Sequence, residues 1–145
     1  MLNQFIFQNY RIFQNETLLD FFPAPINEHK RSLLTAPGDQ ETFLPVIALY
    51  GPNGCGKSSV LDALWGLCRF MDKDFSLILS GSRSSCRLDP EAAKKPVSFD
   101  LLFRNGSFLF RYQLQILKGA IKEEHLFYGC LLYTSDAADD RISVD

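Results

Sequence analysis

The octet Gly51-Pro52-Asn53-Gly54-Cys55-Gly56-Lys57-Ser58 constrains this chain more than any other stretch. It satisfies the pattern G-x-x-x-x-G-K-[ST] at every fixed position, which ordinary residue frequencies would produce by chance in about one chain in two hundred of this length. Its flanks sharpen the reading. An apolar run, Val46-Ile47-Ala48-Leu49-Tyr50, precedes it and reads as a strand, while a stretch with helical periodicity follows, so the octet occupies a strand-to-helix turn.

The residue types suit one chemistry. Glycines let successive backbone N–H groups turn inward and approach a polyphosphate, and Asn53 tolerates the unusual angles of such a turn. The helix beginning near Lys57 adds its positive end. Lys57 would reach the β- and γ-phosphates, and the Ser58 hydroxyl would complete the shell of a Mg²⁺ ion. Gly51 to Ser58, with Ser59 beside them, therefore form a candidate ATP or GTP site in which Lys57 is the catalytic charge and Ser58 the metal ligand. Cys55 places a thiol at the helix N-terminus, where a lowered pKa would favour oxidation. Simple tolerance of a small residue there is the plainer reading.

Hydrophobic residues make up 46% of the 145-residue chain and charged residues 22%, as in one soluble domain. No apolar run approaches membrane-spanning length, and Met1-Leu2-Asn3-Gln4-Phe5 lacks the basic start of a secretory signal, so a cytoplasmic protein without membrane contact is expected. Cys55, Cys68, Cys86 and Cys130 show no C-x-x-C spacing and suggest neither zinc nor disulfides. The formal charge of −2 and the lack of a basic stripe leave a nucleic-acid partner unsupported.

Ahead of the octet, Phe5-Ile6-Phe7 with Tyr10-Arg11-Ile12-Phe13, then Thr17 to Phe21, read as two strands joined at Asn15-Glu16. Pro23 to Pro45 holds four prolines and a polar cluster including His29, Lys30 and Arg31; it reads as a surface connection with one helical turn near Arg31 to Leu34. After the octet, Val60, Leu61, Leu64, Trp65, Leu67, Cys68 and Met71 predict a helix over 57–72 with an apolar stripe against a sheet, Trp65 in the core and Asp62 facing solvent. Leu79-Ser80-Gly81-Ser82-Arg83 looks like the signature by which cassette ATPases grip a partner's γ-phosphate. It lies too close behind the octet to serve as one.

Alternation then returns. Val97, Phe99, Leu101 and Phe103 precede Asn105-Gly106, and Phe108, Phe110, Tyr112 and Leu114 follow it, which predicts a hairpin. A third strand, Glu124 to Tyr128, follows a turn at Lys118-Gly119. Gln113 and Gln115 fall on the exposed face of this meander.

The segment Cys130 to Asp140 resembles, residue for residue, the translated transposon adapter of short-read sequencing libraries. Residues 130–145 are accordingly set apart as a non-native tail, and residues 1–129 read as the N-terminal part of a longer domain. Without the tail the basic and acidic counts become 14 and 13, a charge of +1.

Residues 1–129 resemble the ABC-like AAA ATPases of abortive-infection type, relatives of the RecF and SMC proteins in phage-defence loci. Phe7-Gln8-Asn9-Tyr10-Arg11-Ile12-Phe13, Ala48 to Ser58 with Leu61-Asp62-Ala63-Leu64, Pro96 to Phe103, Asn105-Gly106, Phe110-Arg111-Tyr112 and Ile121 to Tyr128 carry the resemblance. It implies an α/β fold, an incomplete P-loop NTPase of ABC/SMC type with an antiparallel β layer before and after the loop helix. It further implies ATP and Mg²⁺ as ligands, Arg11 near the nucleotide, a head-to-tail homodimer, an effector nuclease or toxin, and ATP hydrolysis by the intact parent. The acidic strand, signature helix and switch histidine of that family do not occur in residues 1–129. A nucleotide-binding module without turnover and a P-loop phosphotransferase are the alternatives.

Overall fold

Alternating apolar and polar residues give a sheet one dry face, and here that face recruits a single helix. The computed structural model describes residues 1–26, 30–35, 41–74 and 85–130. Strands β1 (Leu2–Gln8) and β2 (Thr17–Asp20) come before the phosphate loop; β5 (Val97–Asn105), β6 (Phe108–Leu117) and β7 (Ala120–Cys130) come after it. They form one five-stranded sheet in the order β2-β1-β5-β6-β7, antiparallel at every pairing. The antiparallel layer expected on both sides of the loop helix is thus one continuous sheet.

Turn chemistry sets the register of the meander. Asn105 pairs with Phe108, so the first turn is Gly106-Ser107, one residue later than an Asn-Gly centre, with Gly106 at φ 60°. At the second turn both Lys118 (φ 52°) and Gly119 (φ 79°) are left-handed, the backbone that lets a two-residue loop follow the twist of its strands.

Helix α1 (Lys57–Met71) matches the expected span closely. Its residues Val60, Ala63, Leu67 and Phe70 recur at three and four positions and lie in one buried cluster with Phe5, Phe7, Phe99, Leu101, Leu114 and Ile116 of the sheet. Phe5 stacks on Phe7 and Phe99, with ring centroids 5.4 and 6.3 Å apart. Each such side chain, fully buried, contributes roughly 1.5–3 kcal/mol.

Three expectations are corrected here, concerning Trp65, the run Val46 to Tyr50 and the segment Tyr10 to Phe13. Trp65 is not in the core: it is 59% exposed, as is Leu61 at 60%, because α1 is apolar on two sides and the sheet covers only one. Val46 to Tyr50 forms no strand; Val46 is 73% and Tyr50 91% exposed, and no described strand lies beside the run to supply a hydrogen-bonding partner. All described strand pairings being antiparallel, the parallel sheet of a complete P-loop fold is not present among the described residues. Tyr10 to Phe13 is a tight turn rather than a strand: Tyr10 N–H donates to Phe13 O (2.9 Å) and Phe13 N–H to Tyr10 O (2.8 Å).

The connection before the loop is also more structured than expected. A short 3₁₀ turn, Lys30–Ser32, leads into a two-stranded ribbon of β3 (Leu34–Thr35) and β4 (Thr42–Phe43). Phe43 is fully buried, its ring under the Arg104 guanidinium at 5.3 Å and beside Phe22 at 5.0 Å. Lys30 and Arg31 are exposed, as expected. His29, the apolar run from Phe75, Leu79 to Arg83, and residues 131–145 lie outside the described residues. Cys130 ends β7.

Candidate functional site

The loop from Gly51 to Ser58 is shaped by its glycines and braced from outside. Gly56 occupies the N-cap position of α1 at φ 98°, ψ 8°, a left-handed conformation, and brings no side-chain cap to the first turn. The N–H groups at that end of the helix therefore face outward as donors, with the helix dipole behind them. A Cβ on Gly56 would lie 2.5 Å from Ile12 Cδ1 and 2.9 Å from Phe13 Cζ. Both the angle and the close approach demand glycine.

Lys57 opens the helix and turns its ammonium back over the loop, donating to the carbonyls of Gly51 (2.8 Å) and Pro52 (2.7 Å). Cys55 Sγ lies 3.7 Å from the same nitrogen, and Cys55 N–H donates to Pro52 O at 3.4 Å. Cys55 is a free, exposed thiol. The loop from Gly51 to Cys55 and the Ser58 side chain are exposed; Gly56, Lys57 and Ser59 are half-buried. The arrangement collects a cation and outward N–H groups on one rim, a site for an anion with several oxygens.

The turn Tyr10 to Phe13 delivers Arg11 to this helix. Arg11 sits at φ 52°, its carbonyl accepting from Arg87 N–H at 2.7 Å, and its guanidinium pairs with Asp62 at 2.8 Å, 5.7 Å from the Tyr10 ring centroid. Asp62, 43% exposed, keeps the solvent contact its helical position suggested and is in addition an ion-pair partner. It stands four residues after Ser58 and so on the same side of α1.

Sequence reasoning missed Asn9, which anchors the turn. Left-handed at φ 56° and buried, Asn9 donates to the carbonyls of Ala92 (2.9 Å), Lys95 (3.0 Å) and Pro96 (3.2 Å), and its Oδ1 accepts from Cys86 N–H at 3.1 Å. The available signal was the residue type, since asparagine tolerates the left-handed region better than most.

Asp100, Arg111 and Gln113 alternate with the core residues of β5 and β6 and so lie on the face of the sheet away from α1. Asp100 receives Arg111 through both nitrogens, at 3.0 and 2.7 Å, and Gln113 at 2.8 Å. The hydrogen bond that Arg111 donates to Asp100 raises the Arg111 pKa above its ordinary value. Gln113 is therefore tied to a carboxylate on the face opposite the helix. Among the described residues no cluster of three or more His, Cys, Asp or Glu side chains is placed to hold a metal, and no helix is long and apolar enough to cross a membrane.

Comparison with protein families matches residues 46–135, well over half of the chain, to the family described as "AAA domain, putative AbiEii toxin, Type IV TA system". The chain belongs to that family. Membership makes the chain an ABC-like AAA ATPase of abortive-infection type, a family that implies a P-loop NTPase fold and nucleotide binding, and the matched residues include the loop from Gly51 to Ser58. The match begins with the apolar run before the loop and takes in α1 and the whole β5–β7 meander. No curated protein matches the chain.

Proposed function

We propose that this chain is the N-terminal, nucleotide-binding part of an ATPase that acts as an ATP-driven switch in phage defence. The observation that carries the proposal is the loop Gly51–Ser58 at the start of α1, with Lys57 on its rim and no side chain capping the helix. The donor set fits Mg²⁺-ATP. Backbone N–H groups and Lys57 would neutralise phosphate oxygens, and the exposed Ser58 hydroxyl, with Ser59 next to it, would complete the metal shell. The bound metal would spread the charge that develops on the phosphates. Arg11, carried by the turn after β1 and paired with Asp62 of α1, would supply a second cation.

In this reading residues 1–129 bind nucleotide, and the groups that orient an attacking water come from the rest of the parent protein. A head-to-tail homodimer and an effector nuclease or toxin belong to the same proposal. So does the assignment of residues 130–145 to adapter sequence, which sequencing the source locus across the Gly129 and Cys130 codons tests directly. The exposed run Val46 to Tyr50 and the uncovered side of α1 support a domain that continues beyond the described sheet.

Measuring Mg²⁺-dependent release of phosphate from ATP by the full-length protein separates the readings. Turnover that vanishes with Lys57→Ala supports the switch. Tight ATP binding without turnover selects the non-hydrolysing module, and transfer to an acceptor other than water selects the phosphotransferase.

A further inference from the structure

Asp62 and Arg11 come from different elements, yet they meet beside the phosphate loop. Arg11 Nη1 lies 2.8 Å from Asp62 Oδ2, and Asp62 shares a side of α1 with Ser58, four residues earlier. On an α-helix such residues have Cβ atoms about 5–6 Å apart. The guanidinium is therefore moored within about one helical turn of the Ser58 hydroxyl.

The backbone that carries Arg11 is fixed. Two hydrogen bonds close the Tyr10–Phe13 turn, Arg87 N–H holds the Arg11 carbonyl, and Ile12 and Phe13 press on Gly56. The side-chain pair is not fixed in the same way: the two side chains are 42% and 43% exposed, and ion pairs that open to solvent are weak. A polyphosphate offers the same guanidinium several oxygens and more charge. Exchange of partners requires rotation of the Arg11 side chain alone.

We propose that Asp62 is a positioning residue that holds Arg11 in reserve on α1, and that bound nucleotide draws the guanidinium from the carboxylate to its phosphates. The proposal rests on the nucleotide reading of the loop and adds a regulatory element to it. Asp62 competes with ATP for Arg11, so it lowers the affinity of the site and makes nucleotide occupancy break a contact between α1 and the β1–β2 turn.

The test is equilibrium titration of the full-length protein with Mg²⁺-ATP. Asp62→Asn is expected to bind ATP about two- to fivefold more tightly than the parent, the range that an exposed ion pair allows. Asp62→Ser should give the same gain, and Asp62→Glu, which keeps the charge, should bind like the parent. In an Arg11→Gln background the gain from Asp62→Asn should disappear. Unchanged or weaker binding by Asp62→Asn overturns the exchange, and so does an equal gain without Arg11, which would reveal simple repulsion between Asp62 and the phosphates. Lys57→Ala separates the two levels: if it binds ATP like the parent, the loop reading itself fails, whereas loss of binding there with no Arg11-dependent gain removes the exchange alone.

Discussion

A Cβ placed on Gly56 would stand 2.5 Å from Ile12 Cδ1, so the first residue before α1 is in contact with the turn that follows β1. The loop from Gly51 to Ser58 is thereby seated on that turn. Gly56→Ala combines this clash with a left-handed backbone angle of 98°. It is expected to destabilise the fold by about 1–3 kcal/mol and to abolish tight nucleotide binding. Thermal melting and ATP titration check both parts. Ile12→Ala removes the nearest contact but leaves Phe13 Cζ at 2.9 Å and the backbone strain, so the double variant should recover stability only in part; full recovery would show that neither the Phe13 contact nor φ at Gly56 matters much.

Asn9 gives a second prediction. Its amide serves three carbonyls and its oxygen one N–H, all around a buried site. Asn9→Ala leaves these groups without a partner and should cost about 2–4 kcal/mol, well beyond a single exposed hydrogen bond. A chemical denaturation midpoint within error of the parent would contradict the anchoring role.

The Tyr112 hydroxyl predicts an alkaline limit. Tyr112 is buried and donates to Glu124 at 2.6 Å; burial first, and the carboxylate bond second, push its pKa well above the ordinary tyrosine value. A raised folded pKa means that the native state holds the proton more firmly than the unfolded chain. The resulting stability is complete below the unfolded tyrosine pKa of about 10 and is lost as pH rises past it toward the folded value. Tyr112→Phe should be less stable by about 1 kcal/mol near neutrality and should show a smaller loss of stability above pH ~10. Equal alkaline slopes in parent and variant would contradict this.

The uncovered side of α1 predicts how residues 1–145 behave by themselves. Leu61 and Trp65 are exposed on the helix, and Val46 and Tyr50 on the run before the loop, a set of apolar groups that favours self-association. Trp65 is the sole tryptophan, so its emission should be solvent-like in dilute monomer and accessible to acrylamide. Trp65→Glu should raise solubility while changing stability by no more than about 0.5 kcal/mol. A shielded, blue-shifted tryptophan in the monomer would refute the exposed placement.

Much of this architecture was legible because it rests on local rules. The spacing of Val60, Leu67 and their neighbours marks α1, and alternation with Gly106 and Lys118-Gly119 marks the three strands of the meander. What periodicity could not say is which of two apolar helix sides is covered, so Trp65 was misplaced. Nor could it say that Val46 to Tyr50 stands without a strand partner, since pairing is a property of the whole sheet. Tyr10 to Phe13 looked like a continuing strand because Tyr10, Ile12 and Phe13 are apolar; the left-handed angles at Asn9 and Arg11 bend it into a turn. The Asn9 bonds span 77 to 87 residues and leave no local trace. In the site, the loop was legible from its motif, whereas the Arg11–Asp62 pair depends on a contact between separate elements.

The central claim is that the loop from Gly51 to Ser58 binds the phosphates of ATP through Lys57. The most direct measurement is the equilibrium dissociation constant for Mg²⁺-ATP of the full-length protein and of Lys57→Ala, each checked by circular dichroism for an unchanged fold. Removing the charge-assisted contacts of one ammonium with phosphate is expected to weaken binding by at least about tenfold. Equal affinity in a correctly folded Lys57→Ala protein would contradict the account.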